Sequence, residues 1–229
     1  VQQLGEALED FHGERSVRAV ILTGSGDSFC AGTDLNQLKE AADSKNALEI
    51  WHRDSLEFLE LIEKMLRFPK PIIASVNGWV LGSGVALMLA SDIVVGGTSS
   101  RLCMPEALRG LNPGITTPLM SFRIGTAASS KVLYTGVRIA AEEALQLGLY
   151  QEVVGDSLVW ARCFEIAGAC AAGARESHQM TKQLLNETIG ENLFTQLSIG
   201  AANMAAARTT PAATEGIEAF LEKRDPRWD

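Results

Sequence analysis

The stretch that most constrains this chain is FPKPIIASVNGWVLGSGVALMLASDIVV, residues Phe68 to Val95. After Lys70-Pro71, the apolar run Ile72-Ile73-Ala74-Ser75-Val76 reads as a buried strand closed by the turn former Asn77-Gly78. The glycine-rich bend Gly82-Ser83-Gly84 then leads into Val85-Ala86-Leu87-Met88-Leu89-Ala90, apolar on every side and free of Gly and Pro. Such a segment is a helix only if it lies inside a core. The first turn of a helix presents unpaired N–H groups with the positive end of the dipole behind them, so an electron-rich group could sit at this bend. The glycines serve equally for close packing of helix on strand.

The rest of the chain bounds the problem. At 229 residues it is long enough to bury a sizeable core as one large domain, or as a domain with an appendage. A net charge of -8 argues against a nucleic-acid binder, which needs a basic stripe, and does not exclude a small anion held by a few local cations. Cys30, Cys103, Cys163 and Cys170 form no Cys-x-x-Cys pair, which favours a reducing compartment, the cytoplasm or an organelle matrix. No apolar run is of membrane-spanning length and no signal peptide is visible. The chain starts without Met, inside a helical pattern, so native residues before Val1 are expected to be missing.

In order, Val1, Leu4, Leu8 and Phe11 are spaced for a helix, and Arg18 to Thr23 reads as a strand ending in the turn Gly24–Asp27. Ser28 to Leu35 places small residues around Gly32 directly after that strand, a second place where backbone can approach a ligand. A helix follows with the stripe Trp51, Leu56, Leu59, Ile62 and Leu66, stopped by Phe68-Pro69. Beyond the central stretch come a loop rich in turn formers (Gly110 to Gly114) and helices over Pro118–Ile124, Ser129–Tyr134 and Ala140–Leu147, with Gly148 as a stop. Gln151–Val154 is a short strand. From Leu158 onward the pattern is helical, which puts a boundary near Asp156: a core over residues 1–156 and a helical region over 157–229. Strands alternating with helices in the first part predict an α/β layer fold.

Familiar catalytic patterns fail by position. Leu81 and Val85 flank Ser83 where a Gly-x-Ser-x-Gly elbow needs glycines, and Leu87 stands where Gly-x-Gly-x-x-Gly needs its third. His12, His52 and His178 lack metal-ligand spacing, so no metal is expected. Two backbone-donor candidates remain, Thr33 and Ser83, with one carboxylate, Glu106. Pro105-Glu106 by itself also fits an ordinary helix start.

Taken together, these segments resemble the crotonase (enoyl-CoA hydratase/isomerase) superfamily. Ser28-Phe29-Cys30-Ala31-Gly32-Thr33-Asp34-Leu35 is similar to its FCAGADL loop, and Lys70-Pro71 through Asn77-Gly78, Gly82-Ser83-Gly84 and Ser91-Asp92-Ile93 to its KPVIAAVNG, GGG and CDI block. Pro105 to Gly110 resembles its PEVxLG segment, and Tyr134 to Leu149 its LTGxxISAxEAxxxGLV. Glu215 to Arg224 resembles its EGxxAFxEKR ending. The match runs through nearly the whole chain in order.

The resemblance implies a spiral of ββα turns with C-terminal helices that build trimers, usually paired as hexamers. It implies an acyl-CoA substrate, with CoA as part of the substrate and no other cofactor, and neither nucleic acid nor membrane as partner. The N–H groups of Thr33 and Ser83 would hold the thioester oxygen, since preorganised donors stabilise a developing enolate. Backbone around Ala31, Asp34 and Leu35 would meet the adenine end, with Phe220 and Lys223 near the nucleotide. Asp34 and Asp92 read as structural, tying loops to backbone. Hydratases of the family commonly carry a second Glu where Ala86 stands. With Glu106 alone, a Δ3,Δ2-enoyl-CoA isomerase is the leading expectation. A single-glutamate hydratase of the methylglutaconyl type and a non-catalytic acyl-CoA-binding member are the alternatives. Gly114 stands where other isomerases place their carboxylate.

Overall fold

The computed structural model describes residues 1–188 and 192–228. Strands are dealt alternately to two four-stranded sheets. β1 (Val20–Thr23), β3 (Ile72–Val76), β5 (Ile93–Gly97) and β8 (Glu152–Val154) form one sheet in that order, all parallel. β2 (Ser28–Cys30), β4 (Trp79–Leu81), β6 (Arg101–Cys103) and β7 (Ile139–Ala140) form the other, parallel except for the last pair. Each turn of chain thus lays one strand in each sheet before a helix closes it. These helices are α2 (Leu35–Ala42) and α3 (Ala47–Arg67), then α4 (Ser83–Leu89), then α5 (Thr116–Thr135). This is the expected ββα spiral. α1 (Gln2–Gly13) precedes it, and α6 (Ala141–Gln146) links β7 to β8.

β3 is buried along its whole length, as its unbroken apolar sequence requires. Its two faces serve different layers. Ile72, Ala74 and Val76 enter the main core with Leu59, Ile62, Met65 and Leu66 of α3 and Val85, Ala86 and Met88 of α4. Ile73 points the other way, to Val95, Val159 and Cys163 beneath α7 (Val159–Ala171). A period of two along the strand and 3.6 along α3 generates this division. On α3, Trp51, Leu59, Ile62 and Leu66 are buried as expected, but Leu56 is exposed, and Ser55, Phe58, Leu61 and Met65 complete the inward face.

The short strands are where sequence and structure part. β2, β4 and β6 span three residues each and lie next to glycines and turn formers, so nothing local marks them as strands. Their strand character comes from pairing: Trp79↔Arg101, Val80↔Leu102 and Leu81↔Cys103. The expected helix from Ala140 begins one residue later, because Ile139 and Ala140 pair with Leu102 and Arg101. The helices expected over Pro118–Ile124 and Ser129–Tyr134 are the two halves of α5, interrupted at Gly125 (φ 77°, ψ 160°).

After β8 the described chain is helical: α7, α8 (Arg175–Gln183), a π-helical turn over Leu184–Thr188, α9 (Leu193–Ala207) and α10 (Pro211–Leu221). Residues 189–191 and Asp229, which the helical reading also covered, lie outside the described residues. Leu193, Leu197 and Ala201 of α9 enter the main core, and α9 packs along α3 and α5. Its approach is close. A Cβ on Gly200 would lie 2.1 Å from the Gly114 carbonyl oxygen, and one on Gly114 would lie 1.9 Å from that of Gly200. Alanine in a helix interior ordinarily gains about 1 kcal/mol over glycine. Here Gly200→Ala is expected to reverse that sign and cost roughly 1–3 kcal/mol through overpacking, read as a lower urea midpoint at unchanged slope.

Candidate active site

Three loops converge at the N-terminal end of α4. The first follows β2. Asn77, at the end of β3, ties down the turn that leads into β2: its Nδ2 donates to the Gly24 and Gly26 carbonyls at 3.1 and 2.8 Å, and its Oδ1 accepts from the Gly24 N–H. Beyond β2, Asp34 caps α2, its Oδ1 accepting from the Asn36 N–H at 2.8 Å. The second loop is the glycine bend. Gly82 adopts φ 51°, ψ -120°, a conformation that L side chains rarely adopt. The third loop follows β6 and carries Glu106.

The far end of α4 is fixed. Arg123 of α5 donates to the carbonyls of Leu89 and Ser91 at 3.1 and 3.0 Å, satisfying the last turn. Next to it, Asp92 accepts from the Ile72 N–H and from Lys182 Nζ, both at 2.8 Å. Asp34 and Asp92 therefore both tie loops to backbone, as read from the sequence.

At the near end, Thr33 and Ser83 lie side by side, their hydroxyl oxygens 3.2 Å apart. Among the described residues, neither backbone N–H makes a backbone hydrogen bond. Facing them is a cavity of about 340 Å³ lined by Ala31, Thr33, Asp34, Leu35, Ser83, Glu106 and Phe220, among others. Seven of the eight residues expected at the site are thus gathered on one cavity; Lys223 is not among its lining residues. Lys223 instead follows the end of α10 at φ 56°. The three histidines lie elsewhere, and among the described residues no His, Cys, Asp and Glu cluster is placed to hold a metal.

Glu106 is the unusual group. Its Oε2 is buried and has no hydrogen-bond partner among the described residues. Its Oε1 lies where a Cβ on Gly82 would come within 2.7 Å, so any larger residue at 82 would press on the carboxyl. Burial pushes the Glu106 pKa up to about 7, against smaller opposing effects of a hydrogen bond from its own backbone N–H and of the Arg109 guanidinium. Burial also pushes the neighbouring Cys103 thiol up, and the charge of Glu106 adds to that. Arg109 stacks on the Phe220 ring at 4.2 Å, joining this loop to α10. Ala86, by contrast, is fully buried in the main core and offers the cavity nothing. Two arginines on the lining, Arg109 and Arg208, escaped the sequence reading. Arg109 follows Glu106 by three residues and could have been noted; Arg208 closes an alanine-rich helix with no local signal.

Strands dealt alternately to two sheets, with helices closing a cavity over a buried carboxyl, define the crotonase fold. The chain belongs to the enoyl-CoA hydratase/isomerase family, whose model matches residues 1–229. It is 32% identical to the 2,3-dehydroadipyl-CoA hydratase of Escherichia coli over 99% of this chain and 86% of that protein. It is 29% identical to the 1,2-epoxyphenylacetyl-CoA isomerase of the same organism over 99% of this chain and 86% of that one. The crystal structure of an enoyl-CoA hydratase from Mycobacterium avium superposes with a TM-score of 0.87, at 27% identity, over 100% of this chain and 86% of that one. No helix among the described residues is long and apolar enough to cross a membrane.

A carboxyl held near pKa 7 by burial makes the fold less stable wherever it must ionise. The unfolded chain releases this proton near 4.5 and the folded chain only near 7. The penalty is absent below about pH 4.5, grows between the two values and is complete above 7, where it is on the order of 3 kcal/mol. Glu106→Gln is therefore expected to melt several degrees higher than the parent at pH 8 and at about the same temperature near pH 4.5, by thermal unfolding at both pH values.

Proposed function

We propose that this chain is an acyl-CoA enzyme that works through an enolate, and that its reaction is the Δ3,Δ2 isomerisation of an enoyl thioester. The thioester oxygen accepts hydrogen bonds from the N–H groups of Thr33 and Ser83. Glu106, ionised, takes a proton from C2 of a 3-enoyl-CoA. The electron pair spreads into a dienolate whose charge rests on the held oxygen, and Glu106 returns the proton at C4 to leave the conjugated 2-enoyl product. The observation that carries this reading is the single carboxyl: Glu106 lines the cavity with a buried, unpartnered oxygen and a pKa of about 7, while Ala86 is sealed in the core. A group that accepts a proton and gives it back works best with a pKa near the working pH.

In the same proposal, backbone at Ala31, Asp34 and Leu35 meets the adenine end of CoA and Phe220 its nucleotide, with Lys223 reaching a phosphate from outside the cavity. Exposed Trp160 and Phe164 on α7, and Met180, Leu184 and Leu185 further on, support self-association as trimers or paired trimers through the C-terminal helices.

Hydration is the second reading, favoured by the hydratase names that predominate among the relatives. In that case Glu106 alone would activate the water and supply the proton to C2. Absorbance of the conjugated thioester separates the two. A rise with a 3-enoyl-CoA and no change with the matching 2-enoyl-CoA is the expected result; a fall with the 2-enoyl-CoA would establish hydration and sink the isomerase reading. Silence with both would leave acyl-CoA binding without turnover. Glu106→Gln is expected to lower kcat by roughly 10²–10⁴ while still binding the CoA ester. The parent's kcat/KM is expected to rise with pH and level off above about 7, because the first step needs the ionised carboxylate.

A further inference from the structure

Arg208 directly follows the last residue of α9 and turns its side chain inward. It is 8% exposed, and its Nη1 is buried without a hydrogen-bond partner among the described residues. It lines the same cavity as Glu106, together with the apolar side chains of Leu38, Phe58 and Met204. The carboxylate that favours its charge is Asp54, one turn before Phe58 on α3, yet no ion pair joins the two. Glu106 is affected by Arg109 and not by Arg208. Burial pushes the Arg208 pKa down, but a guanidinium remains charged throughout the working range. The cavity wall therefore contains a desolvated cation with an idle donor, an arrangement that costs stability unless something meets it.

We infer that Arg208 receives a carboxylate carried on the acyl group of the substrate, so that the preferred thioesters are those of dicarboxylic acids or of acyl chains with an acidic branch. This rests on the acyl-CoA reading above and narrows it. A guanidinium fork matches a carboxylate in a bidentate pair. The surrounding Leu38, Phe58 and Met204 suit an apolar stem between the thioester and that carboxylate. The CoA phosphates fit this position poorly: they bring several charges and their hydration, whereas Arg208 shares its part of the wall with Leu38, Phe58 and Met204, and the other lining guanidinium, Arg109, is stacked on Phe220.

Binding tests this independently of turnover. Dissociation constants of adipyl-CoA, hexanoyl-CoA and CoA alone are measured by calorimetry on the parent, on Arg208→Met and on Arg208→Lys. The parent is expected to prefer adipyl-CoA to hexanoyl-CoA by about 10-fold or more. Arg208→Met is expected to abolish that preference, and Arg208→Lys, which keeps the charge without the fork, to retain part of it. A parent ratio at or below one would overturn the inference. So would an Arg208→Met variant that weakens both esters equally, the mark of a structural role, or one that weakens CoA alone to the same degree, the mark of a phosphate contact. Should Arg208→Met fail to fold, the parent ratio and the Arg208→Lys variant decide between these outcomes. A parent that binds both esters with the expected ratio but turns over neither enoyl counterpart would sink the isomerase and hydratase readings and leave this inference standing. A parent that binds no CoA ester would overturn both.

Discussion

A buried helix that is apolar on every side has only its two ends left for polar partners, and α4 is such a helix. Gly84, Val85, Ala86, Met88 and Leu89 are all inside. Its last carbonyls are met by Arg123 from α5, a charged donor at the end where positive charge is favoured. At its start, the Val85 N–H bonds the Gly82 carbonyl at 2.9 Å, but that of Ser83 makes no backbone hydrogen bond among the described residues. The cavity, the glycine bend that opens it and the Glu106 loop above it all lie at that end. What makes the helix buriable at one end makes it a receptor at the other.

The carboxyl set over that end is held by the same logic of incomplete satisfaction. In the core of a stable protein a buried acid is ordinarily hydrogen-bonded or paired. Oε2 of Glu106 has no such partner among the described residues, and the near-neutral pKa that burial produces is what a reversible proton carrier requires. Position 86 supplies no second acid: Ala86 is fully buried in the main core and is not among the residues that line the cavity.

Much of this was legible in the sequence. β3 announced itself as an unbroken apolar run, α3 as a 3.6-residue stripe, and the bend at Gly82 as the start of a buried helix. Seven of the eight expected site residues line one cavity because motif spacing carried them there. What stayed hidden has a common physical cause. β2, β4 and β6 are too short to carry a periodic signal and owe their form to partners far along the chain. Leu56 fits the helical period yet faces solvent, since period alone does not fix where the edge of the buried stripe falls. Arg208 is meaningful only when α9 folds back against α3, a contact no local pattern records.

The meeting of Gly114 and Gly200 has a consequence for how such a site can change. Loop and helix touch there backbone to backbone, with no room for a single added carbon. Position 114 is where the sequence resemblance places the carboxylate of other isomerases. A lineage starting from this chain could not gain a second acid at 114 by one substitution, because α9 would first have to withdraw from the core. New chemistry is more accessible at positions that line the cavity without bracing it, which makes the side chains around Arg208 the open direction for altered specificity and Gly114 a closed one.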